Sequence, residues 1–301
     1  MGGQRVRHIL MIATVNDVQV ARGRDRLRRG VVVKYSGSTR GDGALTRHAA
    51  SLEALAENRP SFHALVPTLV CCANVEGHVL VVETAVDGAP LRLLSGAPRA
   101  KADNGSLVLL AKLHELERRV LTPDADTLDR WISAPIAILR QRPEGANLAE
   151  PCGRLEHELI TILRKPMSVV RIHGDFTPPN ILVSPDGEVT GLVDWESSSA
   201  DDLPEVDLLQ FALLSVPSEQ HELGDLVAAS LRDAQFPLPV RDLGVTALAS
   251  APNGLGIRAA VLLAWLHHVA NNVRKSDGYG GRWYQDNVTN VLDAADATRA
   301  G

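Results

Sequence analysis

The chain has 301 residues, 45% of them hydrophobic and 22% charged, with a formal net charge of −5. That length can bury the core of about two compact units without staples, and the composition argues against disorder. With 36 acidic against 31 basic residues there is no overall basic surface, which disfavours a role dominated by nucleic-acid binding.

Cys71, Cys72 and Cys152 form neither a disulfide framework nor a zinc spacing, so a reducing, cytoplasmic setting is expected. No apolar run approaches the roughly 20 residues of a membrane span. The run at 9–15, behind Arg5 and Arg7, reads as a buried first strand rather than a signal peptide. Charge is unevenly placed. Residues 1–40 carry nine Lys and Arg, whereas 197–231 carry none but seven acids: Asp201, Asp202, Glu205, Asp207, Glu219, Glu222 and Asp225.

In chain order, strands are expected at 8–15 and around Val18 and Val20, then a polar turn at 22–30 and a β-branched strand at 31–35. Residues 36–43 hold three glycines and read as a loop, and 44–57 carry apolar residues at helical spacing. Strand patterns return at 65–75 and 78–86. After Asp87-Gly88 helices are expected at 106–119, 127–142 and 155–164. Two short β-branched runs within 168–194 then flank Pro185-Asp186-Gly187, a hairpin signal, and helices follow to the end, strongest at 257–274. The order is α+β, with a sheet-rich segment at 1–86 and a mainly helical one at 87–301.

The chemistry concentrates in 169–196, VVRIHGDFTPPNILVSPDGEVTGLVDWE. A strand delivers His173-Gly174-Asp175, Asn180 follows five residues on, and the hairpin ends at Asp194. Two acids and an amide are oxygen ligands of the type that suits Mg²⁺. Phosphoryl transfer uses this spacing: one Asp takes the proton of the attacking hydroxyl, while an Asn and a second Asp hold metal against phosphates. A lone Asp-Gly or Asn is ordinarily a turn residue, and Asp186-Gly187 is read that way. His173 is read as fixing the loop.

The segment resembles the aminoglycoside phosphotransferase and choline kinase family. HGDFTPPN matches the family's H-G-D-x-x-x-x-N loop and LVDWE its second metal-ligand strand, with Glu205 to Leu208 resembling the helix start that follows. The resemblance implies a bilobal, protein-kinase-like fold, with a small nucleotide-binding lobe at 1–86 and a larger catalytic and acceptor-binding lobe at 87–301. It implies Asp175 as catalytic base, Asn180 and Asp194 as Mg²⁺ ligands, and Asp207 as a structural anchor of the loop. Glu196 departs from the Asp-Phe-Gly pattern of protein kinases.

Beside that resemblance, Lys34 in VVVKY takes the place of the strand lysine that holds nucleotide phosphates. Its carboxylate partner is expected on the helix at 44–57. The family's acid sits where this chain has His48, so Glu53 is taken as the partner, against the reading that it lies on a solvated face. Glu83, Thr84 and Ala85 are expected to face adenine. Residues 14–20, where a glycine-rich phosphate loop belongs, contain no glycine, and no Walker A motif exists. His267-His268 lacks metal-ligand spacing.

The activity implied is Mg²⁺-dependent transfer of the γ-phosphate of ATP, or GTP, to a hydroxyl of a small molecule such as an aminoglycoside, another antibiotic, a sugar or an amino alcohol. No nucleic-acid or membrane partner is expected, and the oligomeric state is left open. The acidic stretch at 197–231 would attract a cationic acceptor, or else form a solvated surface. Tyr279, Trp283 and Tyr284 are the aromatic candidates for acceptor contact. The alternative is a non-catalytic kinase-like module that binds nucleotide.

Overall fold

A computed structural model describes residues 7–299 apart from 16, 26, 59–61, 63, 116, 217–220 and 238–252. Asn16, at the expected phosphate loop, and Glu219, in the acidic stretch, lie outside the described residues. By its contacts the chain divides into two compact units, 1–106 with 179–198 and 107–178 with 199–301. The expected lobes, 1–86 and 87–301, are a division by role.

The first unit is built on an antiparallel five-stranded sheet in the order β1-β2-β3-β5-β4. Its strands are β1 (Arg7–Val15), β2 (Val18–Arg24), β3 (Gly30–Ser36), β4 (Leu69–Val75) and β5 (His78–Thr84). Helix α1 (Thr39–Asn58) packs on it, with Leu45 and Ala49 against Val18 and Val81.

Helix α1 begins five residues before the expected start, within the glycine-containing segment. Ser38 Oγ accepts from the Gly41 N–H (3.1 Å), a side-chain cap. Gly37 N–H donates to the Asp17 carbonyl (2.8 Å). A Cβ on Gly41 would lie 2.7 Å from Ser36 Oγ and 3.4 Å from that carbonyl. The two glycines are therefore needed for close approach to the turn between β1 and β2, where Asp17 itself has φ 67°. At the helix start, Asp42 Oδ1 accepts from the Val79 N–H (2.7 Å), fixing α1 to β5.

A smaller sheet in the order β10-β9-β6 completes the unit, from β6 (Ala89–Pro90), β9 (Ile181–Val183) and β10 (Val189–Leu192). The β9–β10 turn is the expected one, with Gly187 at φ 79° donating its N–H to the Ser184 carbonyl (3.0 Å). Helix α2 (Gly96–Glu115) starts ten residues before expectation. Asn104 and Ser106, residue types that favour a helix start, lie inside it, and Ser106 Oγ donates to the Ala102 carbonyl (2.7 Å).

The second unit has a three-stranded sheet in the order β11-β8-β7, from β7 (Arg119–Leu121), β8 (Met167–Ile172) and β11 (Ser199–Asp202). Strand β8 thus pairs outside the hairpin. Its helices are α3 (Ala125–Leu128), α4 (Ala134–Arg140), α5 (Ala149–Leu163), α6 (Pro204–Leu214), α7 (Leu223–Asp233), α8 (Ile257–Lys275), α9 (Gly281–Tyr284) and α10 (Asn290–Ala297). Helices α6 and α8 are apolar on most sides and buried on most sides, as a central helix must be. Among the described residues no helix is long and apolar enough to cross a membrane.

Candidate functional site

In the first unit, strand register puts Lys34 opposite Val81, so Glu83, two residues on, projects from the same face of the sheet. Lys34 Nζ lies 3.1 Å from Glu83 Oε1 and 2.7 Å from Asp194 Oδ1. Lys34, Glu83 and His48 are all buried. Burial disfavours the Lys34 ammonium, but the Asp194 and Glu83 carboxylates outweigh it and hold its pKa above the ordinary value. Burial likewise pushes the Glu83 carboxyl up, and Lys34 and the His48 hydrogen bond outweigh that, leaving it below the usual range.

His48 closes this network. Trp195 N–H donates to His48 Nδ1 (3.2 Å), so in the neutral ring the proton sits on Nε2, which bonds Glu83 Oε2. The helix position where the family carries an acid therefore holds an imidazole, and the lysine's buried carboxylate comes from β5. Glu53 is exposed on α1 and near Cys72, and it is not among the partners of Lys34.

Asn180 and Asp194 flank the hairpin. Val193 N–H donates to the Asn180 carbonyl (3.0 Å), which closes the ladder and brings the two residues to its open end. Asp194 adopts the left-handed region (φ 64°, ψ 62°), a costly conformation outside glycine. Its side chain is half-exposed. The Thr84 and Ala85 N–H groups, expected to face adenine, donate to the Thr68 and Gly30 carbonyls (both 2.9 Å).

In the second unit, Asp207 accepts from the backbone N–H groups of His173 (2.6 Å) and Gly174 (2.8 Å). Gly174 has φ 77°, a turn that glycine makes without strain. Asp175 N–H donates back to His173 Nδ1 (3.3 Å), so the buried His173 ring fixes the loop from within. The loop thus presents the Asp175 carboxylate on a frame held by Asp207.

Asp175 meets two groups that local motifs did not reveal. Lys275 Nζ, at the end of α8, donates to Asp175 Oδ2 (2.9 Å). His268, two turns earlier on the same face of α8, is also felt. Burial raises the Asp175 carboxyl, but the Lys275 ammonium, by charge and by hydrogen bond, leads the groups that outweigh it and hold it below the usual carboxylate range. Burial depresses His268 in turn, and Asn272 Nδ2 donates to its Nε2 (2.9 Å), consistent with a neutral ring.

The acidic stretch is largely spoken for. Asp201 pairs with Arg119 (2.6 Å to Nε), and Asp202, Glu205 and Asp207 are buried. Burial raises the Asp202 and Glu205 carboxyls, and Glu205 is bonded by Asn253 (3.0 Å). Among the described acids of the stretch only Glu222 and Asp225 are exposed. Of the aromatic candidates, Tyr284 is buried and donates to the Leu139 carbonyl (2.7 Å), a packing role. Tyr279 and Trp283 meet edge to face at 4.7 Å and are half-buried.

No curated protein matches the sequence. Solved structures do match in fold. A thermostable mutant of aminoglycoside phosphotransferase APH(4)-Ia, in ternary complex with AMP-PNP and hygromycin B, is similar with TM-score 0.65 and 15% identity, over 98% of this chain and 94% of that one. The GDP and kanamycin complex of APH(2")-IIia is similar with TM-score 0.55 and 14% identity, over 98% and 95%. An aminoglycoside-3'-phosphotransferase of type VIII is similar with TM-score 0.56 and 19% identity, over 89% and 94%. These likenesses show the α+β, protein-kinase-like fold. The phosphotransferase enzyme family matches residues 15–237, well over half of the chain, and the chain belongs to that family.

Proposed function

We propose that the protein transfers the γ-phosphoryl group of ATP, or GTP, to a hydroxyl of a small molecule in a Mg²⁺-dependent reaction. The observation that carries the reading is the 2.7 Å contact between Lys34 and Asp194, which lie 160 residues apart in sequence. A strand lysine beside a strand-end aspartate is what a triphosphate with its metal requires. Two of the similar proteins were solved with AMP-PNP and with GDP, which supports a nucleotide donor.

Lys34 would hold the donor phosphates, with Glu83 and His48 keeping it charged and oriented. We carry the role division 1–86 and 87–301 with this reading, and residues 83–85 as the strand end beside adenine. The residues fit a hard cation. Asn180 and Asp194 offer oxygen donors at one hairpin end, with the Asp194 side chain accessible, and Mg²⁺ is ordinarily held by one or two such groups plus phosphate oxygens. Among the described residues no cluster of three or more His, Cys, Asp or Glu competes for it. When bound, the ion would neutralise charge on the phosphates.

Asp175 accepts the proton of the acceptor hydroxyl. The acceptor oxygen bonds the γ-phosphorus while the bond to the β–γ bridging oxygen breaks, giving a phosphoester, the nucleoside diphosphate and one proton. Because Asp175 is held ionised, it is ready as a base, and most of the rate comes from positioning and charge neutralisation. A nucleotide-consumption screen with Mg²⁺ across aminoglycosides, peptide antibiotics, choline, sugars and amino alcohols tests the reading. Folded protein that consumes no nucleotide with any of them contradicts it.

A further inference from the structure

Helix α1 and the end of the β9–β10 hairpin meet at one side chain. His48 is 1% exposed, and its two ring nitrogens engage different partners within the first unit. Nε2 bonds Glu83 Oε2, on the carboxylate that also pairs with Lys34 (3.1 Å). Nδ1 accepts the backbone N–H of Trp195 (3.2 Å), 147 residues away in sequence. The Asp194 carboxylate, one residue before Trp195, returns to Lys34 Nζ (2.7 Å). Lysine, β5 carboxylate, imidazole and strand end thus form a closed circuit.

The circuit holds a costly turn. Asp194 has φ 64° and ψ 62°, and a residue other than glycine keeps that conformation only where its surroundings over-determine it. Before it, Val193 N–H is bonded to the Asn180 carbonyl (3.0 Å); after it, Trp195 N–H is bonded to His48. The buried Trp195 indole N–H donates to the Leu192 carbonyl (2.9 Å). Position 48 must therefore supply one donor, toward Glu83, and one acceptor, toward Trp195. A neutral imidazole has both, and a carboxylate there would offer acceptors only.

We propose that His48 is a positioning residue for the metal: by accepting the Trp195 N–H it holds Asp194 in the geometry that takes Mg²⁺, and by donating to Glu83 it ties that geometry to the lysine that holds the phosphates. The inference rests on the phosphotransfer reading, in which Asp194 is a metal ligand. Groups that orient a ligand in this way ordinarily change metal affinity by about 10–100-fold when replaced.

Two substitutions separate the ring nitrogens. In His48→Gln the amide Nε2 takes the place of the ring Nε2 and still donates to Glu83, while the acceptor for Trp195 is lost. In His48→Asn the amide Oδ1 takes the place of Nδ1 and still accepts from Trp195, while the donor to Glu83 is lost. The readout is the Kd of ADP by calorimetry, in EDTA and with Mg²⁺. Association of Mg²⁺ with free ADP is common to all the proteins, so the ratio of the two values compares what each protein adds to the metal. Wild type should bind ADP more tightly with Mg²⁺. In His48→Gln the ratio should fall about tenfold or to unity. In His48→Asn it should stay near that of wild type, even where ADP binding in EDTA weakens.

An equal fall in both variants, or a ratio unmoved in His48→Gln, overturns the positioning role alone. Should a variant not fold, isotope-labelled wild type serves instead by nuclear magnetic resonance. The His48 ring should be the Nε2–H tautomer, and Mg²⁺ added to the ADP complex should shift the Trp195 amide and the His48 Nδ1 resonance. The Nδ1–H tautomer, or resonances that Mg²⁺ leaves in place, overturns the role. Wild type that binds ADP equally with and without Mg²⁺ overturns the metal role of Asp194 and this inference with it. Folded wild type that binds no ADP in either condition overturns the phosphotransfer reading as well.

Discussion

Replacing Lys34 by Met leaves the Glu83 carboxylate buried with His48 as its remaining partner. Lys34 and Glu83 are 7% and 2% exposed and His48 is 1% exposed, so water cannot replace the lost cation. Removing one member of a buried pair costs about 3–5 kcal/mol, and the lower end is expected because the His48 Nε2 bond to Glu83 remains. The double variant Lys34→Met/Glu83→Leu removes both charges but strands the His48 N–H, at about 1–3 kcal/mol, against an apolar gain of similar size. It should fall within about 1 kcal/mol of wild type by that balance.

Urea unfolding with linear extrapolation reads all three free energies. The pH dependence follows from sign. Wild-type Glu83 is held below its ordinary value, so its contribution is present above the unfolded carboxyl pKa and is lost as pH falls through the lower folded one. In Lys34→Met burial no longer meets the lysine, the folded pKa rises, and the deficit against wild type should shrink from pH 8 to pH 5. A single variant that loses under about 1 kcal/mol, or a double variant no more stable than the single, would refute the buried-pair account.

Asp207→Ala strands two buried N–H groups at His173 and Gly174. It should cost about 2–4 kcal/mol in urea unfolding and depress kcat more than nucleotide affinity. Gly41→Ala puts a methyl against Ser36 Oγ and the Asp17 carbonyl. It should raise the KM for nucleotide through the displaced β1–β2 turn, with the acceptor KM little changed. The acid limb of kcat/KM should lie below the ordinary Asp value of about 4, because the groups that face Asp175, led by Lys275, outweigh its burial. A limb near pH 6 would count against Asp175 as an ionised base in the resting enzyme.

Much of the candidate site was legible in the sequence because its parts are local. HGDFTPPN is one continuous loop, and Pro185-Asp186-Gly187 specifies the hairpin that sets Asn180 beside the strand end at Asp194. The partner of Lys34 was not legible in the same way. It depends on the register of β3 against β5, which no local pattern encodes. The helix phase did carry a signal, since 45, 48, 49, 52 and 55 form one buried stripe that includes His48 and leaves Glu53 outside it.

The glycine-free turn at 14–20 is a second case. The small residues that close approach demands are present, but at 37 and 41, brought to Asp17 by the chain's return through β3. Lys275 gave no sequence signal, because a lysine ending a long helix is ordinarily a solvated terminus. The acidic stretch misled for the opposite reason. Its composition was visible, but composition does not distinguish an acid facing solvent from one bonding backbone N–H groups, as Asp207 does.

The most direct test of the central claim is transfer of labelled γ-phosphate from ATP, with Mg²⁺, to small-molecule hydroxyl acceptors by wild type and Asp175→Ala side by side. The account predicts a phosphoester from wild type, none above background from Asp175→Ala, and nucleotide binding retained in both. Equal product from the two proteins, or no product from a folded wild type across the whole panel, would contradict it.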